Sequence, residues 1–375
     1  HFNRPPEPGQ HGFDVVMTEG AIRKAWSAEV RPKPVPPGVR TKPPWRPFKD
    51  PARIWLNADK LPYPRYYDDM LGTYIARQAA KFLEEHKDTP FALWVSFLEP
   101  HSPFDFPVED RDLFDPARFI PPRVGPEDAW QIPLIFRDLT EQDKRGILAA
   151  YYTSVAYLDR NIGLVLDKLR ELGLDRHTLV VYMGDNGYCL GHHGRFEKHC
   201  SYEPAIRVPL IISWPGRIRR GVVRDLTEGV DVAPTVLDLL GIEPLPVQHG
   251  RSLRPYLEGG RPARRREYVV SEYLENEEAC VRTDRFKLVF CSGRRERQDG
   301  YKTDNPTPGR WFRLYDLRDD PGEFDDVSRK HPEVVERLMA LMLERFRQTH
   351  PEARLEPRGL AVPEALEYYL RPRDA

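Results

Sequence analysis

The apolar run Leu179–Met183, with the four residues that follow it, constrains the fold of this chain more than any other stretch. The run is rich in β-branched and aromatic residues, which is typical of a buried strand, and it stops at the turn signature Gly184-Asp185-Asn186-Gly187. Open α/β sheets bind ligands where their strands end. A carboxylate next to a carboxamide suits a hard cation such as Ca²⁺ or Mg²⁺. An isolated Asp-Asn-Gly is also typical of a plain turn, so the flanking residues decide between the two interpretations.

The turn is followed by a pattern with fixed spacing. Its residues are Gly187-Tyr188, Leu190-Gly191, His193-Gly194, Lys198, Tyr202-Glu203 and Arg207-Val208-Pro209. Together with Asp185-Asn186, this pattern resembles the sulfatases of the alkaline-phosphatase superfamily. Two further segments resemble the same family, namely Pro100-His101-Ser102-Pro103 and Asp231-Val-Ala-Pro-Thr235. The resemblance extends over nearly everything from His1 to about Met342.

The order of elements independently indicates an α/β fold. Apolar residues recur at helical spacing over Tyr67–His86, Asp143–Leu172 and Val232–Leu240. Strand patterns cover Phe91–Leu98, Thr178–Met183 and Leu210–Trp214. This alternation predicts a mostly parallel sheet sandwiched by helices, and the resemblance implies an alkaline-phosphatase-like arrangement of it.

The character of the sequence changes after Gly259-Gly260, where shorter strand patterns predict a smaller C-terminal antiparallel α+β subdomain. The predicted elements are the strands Glu267–Glu272, Ala279–Arg282, Phe286–Cys291 and Trp311–Tyr315 and the helix Pro332–Arg347. We therefore divide the chain into a catalytic domain at 1–258, a subdomain at 259–348 and a surface tail at 349–375. The proline-rich residues 31–52 are predicted to form an extended surface loop.

The resemblance implies a role for each candidate site residue. Asp185 and Asn186 would be metal ligands, and Lys198 would contact the sulfate and the leaving oxygen. His101 would protonate the leaving group, because an imidazole exchanges protons near neutral pH. His1 would help collapse the sulfated formylglycine hydrate by taking its proton. The amide oxygen of Asn186 favours Ca²⁺, or Mg²⁺, over zinc, which prefers nitrogen and sulfur ligands.

The histidines next to Lys198 have less defined roles. His193 is interpreted as a residue that either shapes the turn or reaches the substrate. His192 is a tentative substrate-binding residue, and His199 and Glu197 are further candidates for the substrate entrance.

The chain departs from the family at its nucleophile, which is a Cys or Ser in Cys/Ser-x-Pro/Ala-x-Arg that is oxidised to formylglycine. None of the four cysteines, Cys189, Cys200, Cys280 and Cys291, begins that pattern. The opening residues His1-Phe-Asn resemble the end of the family's Gly-Lys-x-His motif. We therefore expect the segment with the nucleophile and half of the metal ligands to precede His1 in the parent protein. The chain as given is then not expected to be a competent sulfatase.

Composition excludes several other functions. The formal net charge of −1 provides no field for nucleic acid or anionic lipid, and no apolar run approaches the roughly 20 residues of a membrane span. The dense basic run Arg261–Arg266 is interpreted as a solvated linker. Four cysteines are too few for a disulfide scaffold, and burial as small apolar residues is the preferred interpretation, with a disulfide as the alternative.

The leading hypothesis is hydrolysis of a sulfate monoester on a small molecule or, preferably, a carbohydrate. A phosphonate or phosphate ester hydrolase on the same scaffold is the enzymatic alternative, because tetrahedral anions are alike and fold does not separate them. A non-catalytic binder of sulfated glycans is the third. Because the chain keeps Asp185, Asn186, Lys198 and His101 together, the sequence favours an enzyme.

Overall fold

The computed structural model describes residues 12–44, 46, 49–293, 300–303 and 310–371. These residues form two compact units. The first contains the chain up to Pro121 together with Asp138–Thr178, and the second contains Pro122–Arg137 together with the chain from Leu179 onward. No helix in the described ranges is long and apolar enough to cross a membrane.

The first unit is helical. Its helices are α1 (Glu19–Glu29), α2 (Ala52–Trp55), α3 (Leu71–Glu85) and α4 (Glu141–Glu171). Helix α4 begins at a capping box, in which Thr140 Oγ1 accepts from the Asp143 amide and the Asp143 carboxylate accepts from the Thr140 amide. Helices α3 and α4 pack closely because Gly72 has no side chain: a Cβ there would lie 2.7 Å from Tyr157 Oη. The predicted helices at Tyr67–His86 and Asp143–Leu172 are thus confirmed within a few residues.

The predicted strand at Phe91–Leu98 is wrong. No strand is present at these residues in the described chain, although they alternate between half-buried and exposed as strand residues do. Trp94 is 75% exposed. A strand requires a hydrogen-bonded neighbour, and the ladders of the described ranges do not include this run. The alternation is present, but the pairing that would make it a strand is not.

The second unit contains the candidate strand end. Strand β1 (Val180–Met183) pairs antiparallel with β2 (Leu210–Ser213), with Met183 opposite Leu210 and Val180 opposite Ser213. A parallel pair would need a crossover to the opposite edge. Here the connection returns to the edge that it left, and the Gly184 amide donates to Pro209 O at 3.2 Å. The expectation of mostly parallel pairing is therefore wrong for this pair.

The remaining helices of this part of the unit are short. They are α5 (Glu203–Ile206), α6 (Val232–Leu240) and α7 (Arg254–Leu257), and α6 confirms the predicted helix at its predicted bounds. The interpretation of Arg261–Arg266 as wholly solvated is wrong for its last residue. Arg266 is buried and forms ion pairs with Glu228 and with the fully buried Asp231, which gives the guanidinium partners that replace water.

The C-terminal part confirms the predicted antiparallel sheet and helix. Its elements are β3 (Val269–Tyr273), β4 (Glu278–Arg282), β5 (Phe286–Cys291), β6 (Trp311–Asp316), α8 (Pro332–Thr349) and α9 (Val362–Leu370). The four strands are neighbours in chain order, and every pairing is antiparallel.

The expected surface tail at 349–375 is wrong for residues 362–370, because α9 belongs to the core of the C-terminal part. Leu366, Tyr369 and Leu370 are fully buried in the cluster that α8 forms with the sheet. The Phe346 and Tyr369 rings stack with centroids 5.4 Å apart. With nine residues, α9 is too short for its spacing to identify a core helix by sequence, but burial of its apolar residues makes the helix part of the fold.

Candidate active site

The metal-ligand candidates lie where β1 ends. Asp185 is exposed and Asn186 is half-buried. The backbone amide of Asn186 donates to Asp185 Oδ1 at 2.9 Å. The next residue must be glycine, because a Cβ on Gly187 would lie 2.0 Å from Pro204 O. The Gly187 amide also donates to Ala205 O at 2.8 Å. Gly187 thus holds the turn against residues 204–205. Asp185 and Asn186, which carry a carboxylate and an amide oxygen, lie in this turn at the end of β1.

A tight hairpin returns the chain from this edge to Lys198. The Cys189 amide donates to Glu197 O at 3.0 Å, and the Gly191 amide donates to Arg195 O at 2.8 Å. This pairing sets Lys198 opposite Tyr188, two residues after Asn186, and the Tyr188 hydroxyl donates to Phe196 O across the hairpin. Lys198 is half-buried. The hairpin therefore sets the backbone of Lys198 opposite Tyr188, in the same unit as Asp185 and Asn186.

His193 occupies the turn of the hairpin and is almost fully buried. Its Nδ1 lies 2.9 Å from Asp128 Oδ1, and its ring stacks on Tyr202 with centroids 3.6 Å apart. The backbone of His193 has φ +56°, and Gly194 follows with φ +69°. A Cβ on Gly194 would lie 2.5 Å from Ile132. These contacts support a role in shaping the turn, the first of the two interpretations made for His193.

His192 lies beside it in a different environment. It is exposed, in contrast to His193, although the protein around its ring still removes enough water to lower its pKa, with a smaller contribution from His193. It remains a candidate for contact with a substrate. The proposal that Glu197 lines an entrance is wrong, because this carboxylate is 1% exposed and forms an ion pair with buried Arg195. Glu197 also accepts from the backbone amide of His199, so it fixes the hairpin internally.

A buried lysine that sequence reasoning missed supports the segment from its C-terminal side. Lys287, on β5, is fully buried, donates to Ser201 O at 2.6 Å and forms an ion pair with Glu323. Its Nζ lies 3.6 Å from Glu203 Oε1, and the Glu203 amide donates to Glu323 Oε2 at 2.7 Å. Burial alone would lower the pKa of Lys287, but Glu323, Cys280 and Glu203 outweigh it and raise the pKa. The ammonium is therefore charged, and it anchors the residues that follow Lys198.

One match to the family's nucleophile pattern also escaped sequence reasoning. Ser213-Trp-Pro-Gly-Arg217 has the Ser-x-Pro-x-Arg spacing. Ser213 pairs with Val180, whereas Asp185 follows the opposite end of the same ladder. Four strand residues separate these ends by about 10 Å. The match is therefore one of spacing alone, and this serine does not belong to the candidate site.

The sequence also singled out His101, His1, Arg207 and the four cysteines. His101 belongs to the first unit, is exposed, and has its Nδ1 2.8 Å from Ser102 O. His1 lies outside the described residues. The Arg207 side chain is exposed. All four cysteines are buried, which confirms the predicted burial.

Comparison with known proteins gives a consistent assignment. The sulfatase family profile matches residues 1–242, and a second profile, "N-sulphoglucosamine sulphohydrolase, C-terminal", matches residues 191–350. A choline-sulfatase of Rhizobium meliloti is 29% identical over 306 residues, which are 76% of this chain and 56% of that protein. A Δ4,5-hexuronate-2-O-sulfatase of Bacteroides thetaiotaomicron is 27% identical over 322 residues, which are 79% of this chain and 63% of that protein. The chain thus spans little more than half the length of these relatives.

A solved structure supports the fold. The phosphonate monoester hydrolase SpPMH from Silicibacter pomeroyi aligns with a TM-score of 0.66 at 25% identity, over 82% of this chain and 67% of that one. This similarity confirms the predicted α/β fold class with its antiparallel C-terminal sheet. Because the family profile covers more than half of the chain, the protein is a member of the sulfatase family, in the alkaline-phosphatase-like superfamily.

Proposed function

We propose that the complete protein hydrolyses sulfate monoesters on a carbohydrate. The observation that supports the proposal is the hairpin after β1, whose pairing sets Lys198 opposite Tyr188, two residues after Asn186. An ammonium and an oxygen-ligand cation site suit an anionic ester, because their positive charge stabilises a transition state in which negative charge develops. The named activity of the hexuronate-2-O-sulfatase relative supports a carbohydrate substrate.

The donor set fits the metal that the family implies. Asp185 and Asn186 present oxygen atoms, Asp185 is exposed, and neither a thiolate nor an imidazole is adjacent to them in the chain. These two residues would hold Ca²⁺, or Mg²⁺, with further ligands from the parent protein. When bound, such a cation polarises a sulfate oxygen. Lys198 would contribute charge at the ester, and His101 would deliver a proton to the leaving oxygen. The family's formylglycine is the nucleophile that this account requires.

A phosphonate ester hydrolase is the second candidate, because the SpPMH structure has the same fold over most of this chain. The two activities separate in one experiment on the complete protein. We expect faster turnover of 4-nitrophenyl sulfate than of 4-nitrophenyl phenylphosphonate, which carries the same leaving group. Preferential cleavage of the phosphonate would replace the proposed activity with the alternative. Binding of a sulfated disaccharide without cleavage of either ester would favour the non-catalytic binder.

A further inference from the structure

Two cysteines bracket the hairpin that carries Lys198. Cys189 Sγ and Cys200 Sγ lie 3.5 Å apart although eleven positions separate them in sequence. Cys189 is fully buried and Cys200 is 6% exposed. The backbone holds both ends in place, because the Cys189 amide donates to Glu197 O and the Cys200 amide donates to Lys198 O at 2.9 Å. The chain thus returns past Glu197 to bring Cys200 Sγ into contact with Cys189 Sγ.

We propose that Cys189 and Cys200 form a reversible disulfide that closes the segment carrying Lys198. A disulfide bond is about 2.0 Å long, so the sulfur atoms must approach by about 1.5 Å for the bond to form. The oxidant is a small-molecule disulfide such as glutathione disulfide. Two protein thiols and one glutathione disulfide give one protein disulfide and two glutathione thiols, so the protein loses two electrons and two protons, and glutathione gains them.

The surroundings of the pair determine when it reacts. The hydrogen bond with Cys200, together with burial, raises the pKa of Cys189, and a thiolate is the species that attacks a disulfide. In the native chain the reduced pair therefore exchanges slowly. The bond forms during folding or when the hairpin opens, and once formed it is protected by the same burial.

The other two cysteines provide internal controls. Cys280 belongs to the same apolar cluster as Cys189 and Cys200, so it is the competing partner. The Cys291 thiol instead donates to Asn276 O at 3.3 Å. A disulfide between Cys189 and Cys200 constrains the hairpin between them, whereas a link to Cys280 would tie the hairpin to β4. The consequence for Lys198 rests on the proposed function; formation of the bond does not.

The test is peptide mapping of the full chain. The chain is unfolded with reductant, refolded with reduced and oxidised glutathione, alkylated in denaturant and digested. We expect a peptide linked through Cys189 and Cys200 in most molecules, with Cys280 and Cys291 alkylated. The oxidised form should have a Tm about 3–6 °C above that of the reduced form.

Two variants sharpen the result. Cys200→Ser should lose both the linked peptide and the effect of reductant on Tm, and Cys291→Ser should retain both. Full alkylation of Cys189 and Cys200 in the unmodified chain, or a link of either to Cys280, would overturn the proposal. Because mapping requires no turnover, a chain that hydrolyses no ester still gives a decisive answer.

Discussion

His193 Nδ1 lies 2.9 Å from Asp128 Oδ1, and both side chains are buried, at 1% and 4% exposure. The two residues are 65 positions apart in sequence. His193 belongs to the sulfatase pattern that follows Asp185-Asn186, whereas Asp128 does not. The contact joins the turn before Lys198 to a segment that has no recognisable motif. The candidate site thus depends on a polar interaction in the core of its own unit.

Replacement of His193 by Ala should destabilise the protein by about 2–4 kcal/mol, because buried Asp128 Oδ1 loses its contact with His193 and the stack on Tyr202 is lost. His192→Ala, one residue earlier and exposed, should change stability by less than about 0.5 kcal/mol. Urea unfolding of the two variants measures the difference. Equal losses would mean that the Asp128 contact does not hold the turn.

Replacement of Lys287 by Met should cost about 3–5 kcal/mol, because it leaves the buried Glu323 without its counter-ion. Lys330→Met is the matched control, since Lys330 is exposed and its loss should be within about 0.5 kcal/mol of zero. Thermal or urea unfolding distinguishes the two. A Lys287 variant as stable as the control would show that the buried network contributes no net stability.

Glu99 should make stability depend on pH. Burial raises its pKa from 4.5 to about 7, and its Oε2 has no hydrogen-bond partner in the described chain. Below about pH 4.5 both folded and unfolded states are protonated. Between that value and about pH 7 the folded state holds the proton more tightly, so stability falls as pH rises.

Glu99→Gln removes this dependence while keeping the shape of the side chain. Between about pH 5 and pH 8 the unmodified protein should lose about 1–3 kcal/mol relative to the variant. Unfolding free energies at several pH values give the difference directly. Parallel pH profiles would mean that Glu99 ionises normally in the folded protein.

Lys198→Ala in the complete protein should lower kcat for a sulfate ester by about 10²–10³, the usual cost of removing a group that stabilises transition-state charge. Lys81→Ala is the control, because Lys81 is exposed on α3, in the other unit. Initial rates with 4-nitrophenyl sulfate compare the two. A near-normal rate for Lys198→Ala would remove this residue from the proposed mechanism.

The local sequence pattern was sufficient to predict an element wherever the apolar residues of that element recur at regular spacing. Helix α6, strand β5 and the turn after β1 appear where the sequence predicts them. Each of these segments has a regular apolar spacing and a clear stop signal. Contacts with neighbouring elements therefore shift the bounds of these segments little. The fold class follows from their order.

The local sequence pattern did not predict which strands pair or which helices and side chains are buried. Residues 91–98 have a strand pattern but no strand ladder in the described ranges, and α9 is a core helix with a short, weak pattern. Asp128 and Lys287 support the candidate site through contacts 65 and 86 positions away in sequence. Such partners depend on which segments meet in space, which no local spacing encodes.

The most direct test of the proposed site is calcium dependence of sulfate release by the complete protein. The protein is stripped with a chelator, and sulfate release from 4-nitrophenyl sulfate is measured before and after Ca²⁺ is restored. We expect activity to be lost and then recovered, and Asp185→Ala to remain inactive after Ca²⁺ is added. Full activity in the chelated protein, or in Asp185→Ala, would contradict the assignment of the β1 strand end as the metal site.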